Sequence, residues 1–156
     1  KVGPCIKAPG YGHYQTDSFV AGCLDITCTL HELMSLEKPE TLHGKRLPLC
    51  AAEDTEPRRY ITSTSNGQQF GLYTNRMIRG DRYKYVWNLT DIDEFYDLEA
   101  DPGEKINLIC DEKYAGTIAE MRRALYEQLK EYSDPFATRD WVTAQLLEGR
   151  KHTDRA

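Results

Sequence analysis

The stretch MIRGDRYKYVWNLTDIDEFYDLEADPGEKINL, residues 77–108, decides the fold of this chain. Tyr83, Tyr85 and Trp87 stand at every second position, the period expected of a strand that packs one face against a core. A second apolar run at 95–98 follows an acidic tetrapeptide that is suited to a hairpin connection. The stretch therefore predicts two antiparallel strands.

A turn and a long helix are predicted after these strands. Asp101-Pro102-Gly103 combines the fixed φ of proline with a permissive glycine, so the chain turns there. Asp111 is a good N-cap for a helix over 114–132. The apolar residues of that segment recur in steps of three and four, at Tyr114, Ile118, Met121, Leu125, Leu129 and Tyr132. This helix can cover the apolar face of the sheet.

Further short strands are predicted at 59–64, 69–74 and 77–79, where β-branched and aromatic residues are separated by turn residues. The fold class is therefore α+β, a small antiparallel sheet of about four strands covered by a long C-terminal helix. A short final helix is predicted at 138–147.

The N-terminal third has a different pattern. Residues 17–36 are predicted to be helical, with Asp25 accepting N–H groups of the first turn. The stripe expected to face a core consists of Ile26, Leu30, Leu33 and Met34. The acidic loop at 51–58 is the predicted boundary between two parts, 1–50 and 51–156.

Composition excludes some partners. The chain has 156 residues and a formal net charge of −5 with mixed signs along it, which indicates neither a nucleic-acid groove nor an anionic membrane surface. No apolar run approaches the roughly 20 residues of a membrane helix. Most of the five cysteines are expected to be buried thiols. Asn88-Leu89-Thr90 fits a glycosylation sequon, a short and frequent pattern.

Several of these segments resemble the sulfatase family. Its C-terminal signature, Y-K-Y … E-L-Y-D-L-x-x-D-P-x-E-x-x-N-L, is similar to 83–85 and to 94–108, with Phe95 where leucine is usual. Residues 1–10 and 20–47 are similar to family segments farther upstream. The resemblance implies that 1–50 is a strand-helix remnant at the C-terminal end of the larger α/β catalytic domain. Residues 51–156 would then be the C-terminal α+β subdomain.

The groups that perform sulfatase chemistry are not found in this sequence. The family uses a formylglycine made from Cys or Ser in C/S-x-P/A-x-R, and paired acidic residues that hold calcium. None of the five cysteines begins such a motif, and no Asp-Asp, Asp-His or Asp-Asn pair occurs. We therefore expect no catalytic residue, metal ligand or cofactor in this chain, and we expect calcium and formylglycine in the parent enzyme. The candidate substrate-binding residues are Lys1, in an alternative register, and the loop residue His13.

The resemblance implies that this is the C-terminal, largely non-catalytic part of a sulfatase. Its role would be to brace the catalytic domain and to line one wall of the substrate cleft. The expected partner is the missing N-terminal catalytic part of the same protein. Self-association through uncovered apolar surface is a further expectation. Neither a nucleic acid nor a membrane is expected as a partner. Two alternatives remain open, namely a free-standing non-catalytic α+β interaction module and the tail of a related phosphonate or phosphodiester hydrolase.

Overall fold

The structure, a computed structural model, describes residues 22–47, 58–67 and 73–149. The chain divides into two compact units, Lys1–Arg59 and Tyr60–Ala156. The predicted boundary at residues 50 and 51 lies outside the described residues.

The second unit contains a four-stranded antiparallel sheet in the order β1-β2-β3-β4. Its strands are β1 (Ile61–Ser65), β2 (Asn75–Arg79), β3 (Tyr83–Asn88) and β4 (Glu94–Asp97). Ile78, Tyr85 and Phe95 lie opposite one another across β2, β3 and β4, and all three are fully buried. Because neighbours in the sequence are neighbours in the sheet, the predicted antiparallel α+β fold is confirmed.

The strand predicted at 69–74 is not seen in the residues of that run that the structure describes. Most of the run at 69–74 lies outside the described residues, and Tyr73 and Thr74 are not in a strand. Tyr73 has a φ of 66°, in the left-handed region, so the extended conformation begins after it. The chain enters β2 at Asn75.

The long helix α2 (Ala115–Glu131) covers one face of the sheet. Its buried residues are Ile118, Met121, Leu125 and Leu129, the stripe that the sequence predicts. Asp111 caps a preceding 3-10 turn, Glu112–Tyr114, by accepting a hydrogen bond of 3.0 Å from the Lys113 N–H. The helix ends at Glu131, before Ser133 with a φ of 54° and the following Asp134-Pro135.

The last segment returns to the same core. A helical turn, α3 (Asp140–Val142), continues into a π-helix, Thr143–Leu147. Val142 and Leu146 are fully buried, whereas Trp141 is 38% exposed. The predicted final helix is therefore present, with one of its expected anchors at the surface.

In the first unit, α1 (Cys23–Leu33) packs through a face that the apolar stripe does not predict. Its buried residues are Asp25, Cys28 and Thr29. The expected stripe does not form a core within this chain, since Leu30 is 43% and Met34 60% exposed, and Ile26 and Leu33 are only partly buried. The reason is a backbone loop at 44–47 that bonds to the polar face of the helix, as described below.

One smaller expectation is also corrected, and the expectation for the five cysteines is tested only in part, since Cys5 and Cys50 lie outside the described residues. Asp25 lies at the third helical position, and Gly22 is the N-cap residue, so Asp25 caps the helix from within by accepting from the Gly22 N–H at 2.7 Å. Of the three cysteines in the described ranges, Cys28 is buried but Cys23 and Cys110 are exposed. The latter two lie in the first turn of a helix and in a surface turn, where no packing partner encloses them.

Candidate functional site

Neither predicted substrate-binding residue can be placed, since Lys1 and His13 lie outside the described residues. Within 22–47, 58–67 and 73–149, no group of three or more His, Cys, Asp or Glu residues is arranged to hold a metal ion. In the same ranges, no helix is both long and apolar enough to span a bilayer. The polar residues of the sulfatase-like signature, 83–85 and 94–108, bind other groups of the fold.

Asp97 closes β4 as a buried acceptor. Its carboxylate accepts from Arg82 Nη2 at 2.8 Å and from the backbone N–H groups of Glu99 and Ala100 at 3.1 and 3.2 Å. The bond from Arg82 is the main reason that the pKa of Asp97 is lowered, and the backbone bonds add to it. The side chain is 1% exposed, so the charge is held by these donors and not by water.

Asp101 and Asn107 shape the turn between β4 and α2. Asp101 accepts from the Lys105 and Ile106 N–H groups at 2.6 and 2.9 Å, and these backbone bonds lower its pKa. Asn107 accepts from the Phe95 N–H at 3.0 Å through its side-chain oxygen and donates from its amide nitrogen to a backbone carbonyl. The turn is thus bonded along the outer edge of β4.

Asp93 joins the hairpin to the helix. It accepts from the Tyr85 hydroxyl at 2.7 Å, from the Asn88 N–H at 3.1 Å and from Arg122 Nη2 at 3.3 Å. Burial raises the pKa of the Tyr85 phenol well above its ordinary value, and the Asp93 charge raises it further. Arg122 also lies against Gly149, where a Cβ would come within 2.3 Å of its Nη1. This cluster fixes β3, α2 and the C-terminal segment to one another.

Asp25 performs a similar task in the first unit. Besides Gly22, it accepts from the Lys45 N–H at 2.7 Å and from Arg58 Nη2 at 2.6 Å. Thr29, one turn later, accepts from the Leu47 N–H at 2.9 Å. These bonds hold the loop against the polar face of α1, which is why that face is buried.

Arg76 is a buried residue that the sequence analysis missed. Its guanidinium is 2% exposed, pairs with Asp134 at 2.8 Å and also donates to Asn66 Oδ1 and to two backbone carbonyls, those of Ser65 and Asn75. An arginine in a polar-apolar alternation is typical of a solvated strand face. The sequence feature that could have indicated its burial is Asp134. This carboxylate follows the end of α2 and pairs with Arg76 in the folded chain.

Other polar groups are also engaged locally. The Asn88 side-chain amide of the sequon donates to the Ile92 carbonyl at 2.8 Å and to Glu94 Oε1 at 3.0 Å. Burial and the hydrogen bond to Glu94 raise the pKa of Tyr96 to about 12. These clusters provide hydrogen-bond partners for backbone and charged groups of the fold. Among the described residues, none of the clusters contains an activated nucleophile.

Curated relatives are similar over most of this chain. An uncharacterized protein of Haemophilus influenzae is 31% identical over 119 residues, which are 76% of this chain and 60% of that protein. The uncharacterized sulfatase YidJ of Escherichia coli is 34% identical over 141 residues, 87% of this chain and 27% of YidJ. The chain thus spans 60% of the first relative's length and about a quarter of the second's.

Solved structures share the fold. The structure of BT1596, a 2-O GAG sulfatase, has a TM-score of 0.71 and 29% identity and is matched over 81% of this chain and 28% of its own. A phosphonate monoester hydrolase of Agrobacterium radiobacter shares the fold with a TM-score of 0.61 at 23% identity, over 69% of this chain and 24% of its own.

The family match is direct and long. Residues 6–131 match the family described as N-sulphoglucosamine sulphohydrolase, C-terminal. That range includes α1, the whole sheet and α2. The chain therefore belongs to this family and is a C-terminal portion of a sulfatase.

Proposed function

We propose that this chain acts within a sulfate-ester hydrolase, where it braces the catalytic domain and lines one wall of the substrate cleft, while the catalytic groups lie in the remainder of the protein. The observation that carries the bracing role is the apolar side of α1. Leu24, Leu30 and Met34 are about half exposed, and the adjacent Leu36 is exposed as well. Four large apolar side chains exposed on and just after one short helix support an interaction site there.

The occupant of this surface is proposed to be the missing N-terminal catalytic part. This choice is supported by the length of the relatives, which extend well beyond the matched region. α1 has 11 residues, and an isolated helix of that length is marginal in water. Burial of its apolar side would contribute roughly 25 cal/mol for each Å² removed from water. Self-association of the chain alone is expected through the same surface.

The cofactors are likewise proposed for the remainder of the protein. Sulfate-ester hydrolysis requires a nucleophile, cations that neutralise the sulfate oxygens, and an acid for the leaving group. A formylglycine and calcium would supply the first two. The carboxylates of Asp25, Asp93 and Asp97 already accept two or more bonds each from fixed N–H or O–H groups, which leaves them poorly suited to a calcium site.

The direct test is turnover of a chromogenic aryl sulfate by this chain alone and by a longer protein that includes a catalytic domain. We expect turnover from the longer protein and none from the chain, because removal of catalytic groups costs roughly 10² to 10⁶ in rate. Calorimetric titration of the chain with calcium should show no saturable micromolar binding. Turnover by the chain that a substitution in it abolishes, or tight calcium binding, would contradict the proposal.

A second candidate function is a free-standing interaction module. The observation in its favour is the Haemophilus influenzae relative, in which the matched region is 60% of the protein. A monodisperse monomer that binds no hydrophobic dye would favour this module. If the longer protein instead cleaves an aryl phosphonate monoester and no aryl sulfate, the parent activity is that of the related hydrolases.

A further inference from the structure

The two edges of the four-stranded sheet differ in what covers them. At the β4 edge, the Phe95 N–H donates to Asn107 Oδ1 at 3.0 Å, and the Phe95 carbonyl accepts from the Leu108 N–H at 2.8 Å. The Asp97 carbonyl accepts from the Asp101 N–H, also at 2.8 Å. The turn between β4 and α2 thus occupies the outward backbone groups of β4.

The hydrogen-bond pattern of β2 shows which backbone groups lie on the other edge. In an antiparallel ladder, directly opposed residues alternate between bonded and non-bonded pairs. The Gly80 N–H donates to the Tyr83 carbonyl, and the Leu89 N–H donates to the Thr74 carbonyl. These two bonds flank the register of β2 with β3, so β2 bonds to β3 through its even-numbered residues. Its odd-numbered residues, 75, 77 and 79, therefore bond to β1.

The free edge of β1 consists of Thr62 and Thr64. Ile61, Ser63 and Ser65 lie opposite the odd-numbered residues of β2 and use their backbone groups in that ladder. The N–H and C=O groups of Thr62 and Thr64 therefore point away from β2. They have no hydrogen-bond partner in the part of the chain that the structure describes. Unpaired groups of this kind are a template for another strand.

β1 has none of the features that protect an edge strand. Natural edge strands are protected by charged side chains, by proline or by a bulge. Ile61–Ser65 contains no charged residue and no proline, and its register with β2 is continuous, so it has no bulge. Ser63, Thr64 and Ser65 are exposed. The edge is thus open to an added strand, for which backbone hydrogen bonds would provide the affinity.

A second copy of β1 matches this edge. Thr62-Ser63-Thr64 reads the same in both directions, so a two-fold axis at Ser63 places Thr62 opposite Thr64 of the second copy. These opposed threonines then exchange N–H···O=C bonds through their outward groups. Threonine pairs are favourable across strands, and the uncharged strands bring no like charges together. We propose that two copies of this chain associate edge to edge through β1 and so join their sheets.

The association is expected to be weak, because one pair of five-residue strands is small. Stable interfaces bury about 1,200 to 2,000 Å², and smaller contacts are typical of transient complexes. A covalent trap therefore detects this pairing better than light scattering does. It also separates β1 from the apolar side of α1, through which self-association is expected as well.

The experiment introduces Ser63→Cys in the 156-residue chain and adds a redox buffer in which oxidised glutathione is the oxidant. Ser63 would lie on the two-fold axis in a non-bonded pair, where Cα atoms are about 4.5 Å apart, within the reach of a disulfide. A covalent dimer linked through position 63 of both copies is expected. Ser65→Cys is the matched control, because the two copies of position 65 would lie about 14 Å apart along the strands. Peptide mass spectrometry identifies the linkage.

Further variants in the Ser63→Cys chain test the hydrogen bonds. Thr64→Pro should lower the dimer yield about tenfold, because proline lacks the outward N–H. Thr64→Val keeps this N–H and should retain the yield. Leu30→Lys combined with Met34→Lys, the α1 double variant, should also retain it, because the apolar side of α1 is a different surface.

Linkage through position 63 that Thr64→Pro lowers and Thr64→Val retains supports the proposal. Equal dimer yields from Ser63→Cys and Ser65→Cys overturn it, because the pairing is then not in the proposed register. Linkage of position 63 to the exposed Cys23 or Cys110, in place of position 63 of the second copy, overturns it as well.

Two other results would assign the edge differently. Loss of the dimer in the α1 double variant overturns the proposal, because association then depends on α1. Slow amide exchange at Thr62 and Thr64 in a longer protein that is monomeric also overturns it, because another strand of the same protein then covers β1. Sulfatase turnover is measured separately, so failure of this pairing leaves the proposed function standing.

Discussion

The two main helices differ in how much of their apolar surface is covered. α2 buries Ile118, Met121, Leu125 and Leu129 against the sheet, and each is at most 4% exposed. α1 buries a polar face through the bonds of Asp25 and leaves Leu24 and Leu30 about half exposed. Both helices have an apolar stripe in the sequence, so the stripe predicts an interface but does not say whether the partner is encoded in the same chain.

This difference separates two kinds of stability. The second unit is held by packing of a long helix on a four-stranded sheet, which is the main source of helix stability in proteins. In the first unit, the described residues 22–47, 58 and 59 are joined mainly by buried hydrogen bonds, whose net contribution is about 1 kcal/mol each. We therefore expect the second unit to be the more stable part of the isolated chain.

The largest expected effect comes from Leu125→Ala. Leu125 is fully buried, and truncation of a buried leucine costs about 2 to 5 kcal/mol in the free energy of unfolding. Leu30→Ala on the exposed side of α1 is the matched control and should cost less than about 0.5 kcal/mol. Chemical denaturation gives both values, and equal effects would show that the two helices are covered to the same extent.

A somewhat smaller effect is expected from Gly44→Ala in the first unit. An added Cβ would lie 2.2 Å from the Leu24 carbonyl oxygen and 2.6 Å from Cys28 Sγ, so the loop must move off α1. Overpacking of this kind costs about 1 to 3 kcal/mol. Gly116→Ala, in the first turn of α2 with nothing within 4 Å, is the control and should be neutral or stabilising. The far-ultraviolet signal of α1 and the unfolding midpoint are measured; a Gly44→Ala protein as stable as wild type contradicts the close contact.

Asp97→Asn should remove part of the acid sensitivity of the second unit. Because its folded-state pKa is lowered, Asp97 contributes stability at neutral pH, and that contribution is lost as the pH falls through the folded-state pKa. Since Arg82 is half exposed, the cost at pH 7 should be about 1 kcal/mol. Denaturation midpoints of both proteins, measured from pH 7 to about pH 3, should converge as the pH falls. A constant difference over this range would contradict the assigned ion pair.

The double variant Leu30→Lys, Met34→Lys should have the smallest effect on stability. Its effect on association should be large. Both side chains are exposed, so the free energy of unfolding should change little. Binding of a hydrophobic dye and light scattering should both decrease, because the apolar surface of α1 is interrupted. An unchanged dye signal would place the uncovered surface somewhere else.

The sequence predicts the second unit well because its signals are local. The period of two at Tyr83 to Trp87, the turn at Asp101 and the stripe of α2 each depend on neighbouring residues, and all three are confirmed. The family follows from the same stretch. Ser133-Asp134-Pro135 likewise predicts where the helix ends.

The sequence fails where a side chain depends on a distant partner. The burial of Asp25 depends on the backbone N–H of Lys45, 20 residues away, and the burial of Arg76 depends on Asp134, 58 residues away. No periodicity in one segment can indicate such contacts, so they appear only once the chain is folded.

The most direct test of the account is amide hydrogen exchange of the isolated chain, resolved by peptide. We expect slow exchange in α2 and β3, at rates set by global unfolding, and fast exchange in α1, where Leu24, Leu30 and Met34 are exposed. Protection of α1 equal to that of α2 in the isolated chain would contradict the expectation that the second unit is the more stable part.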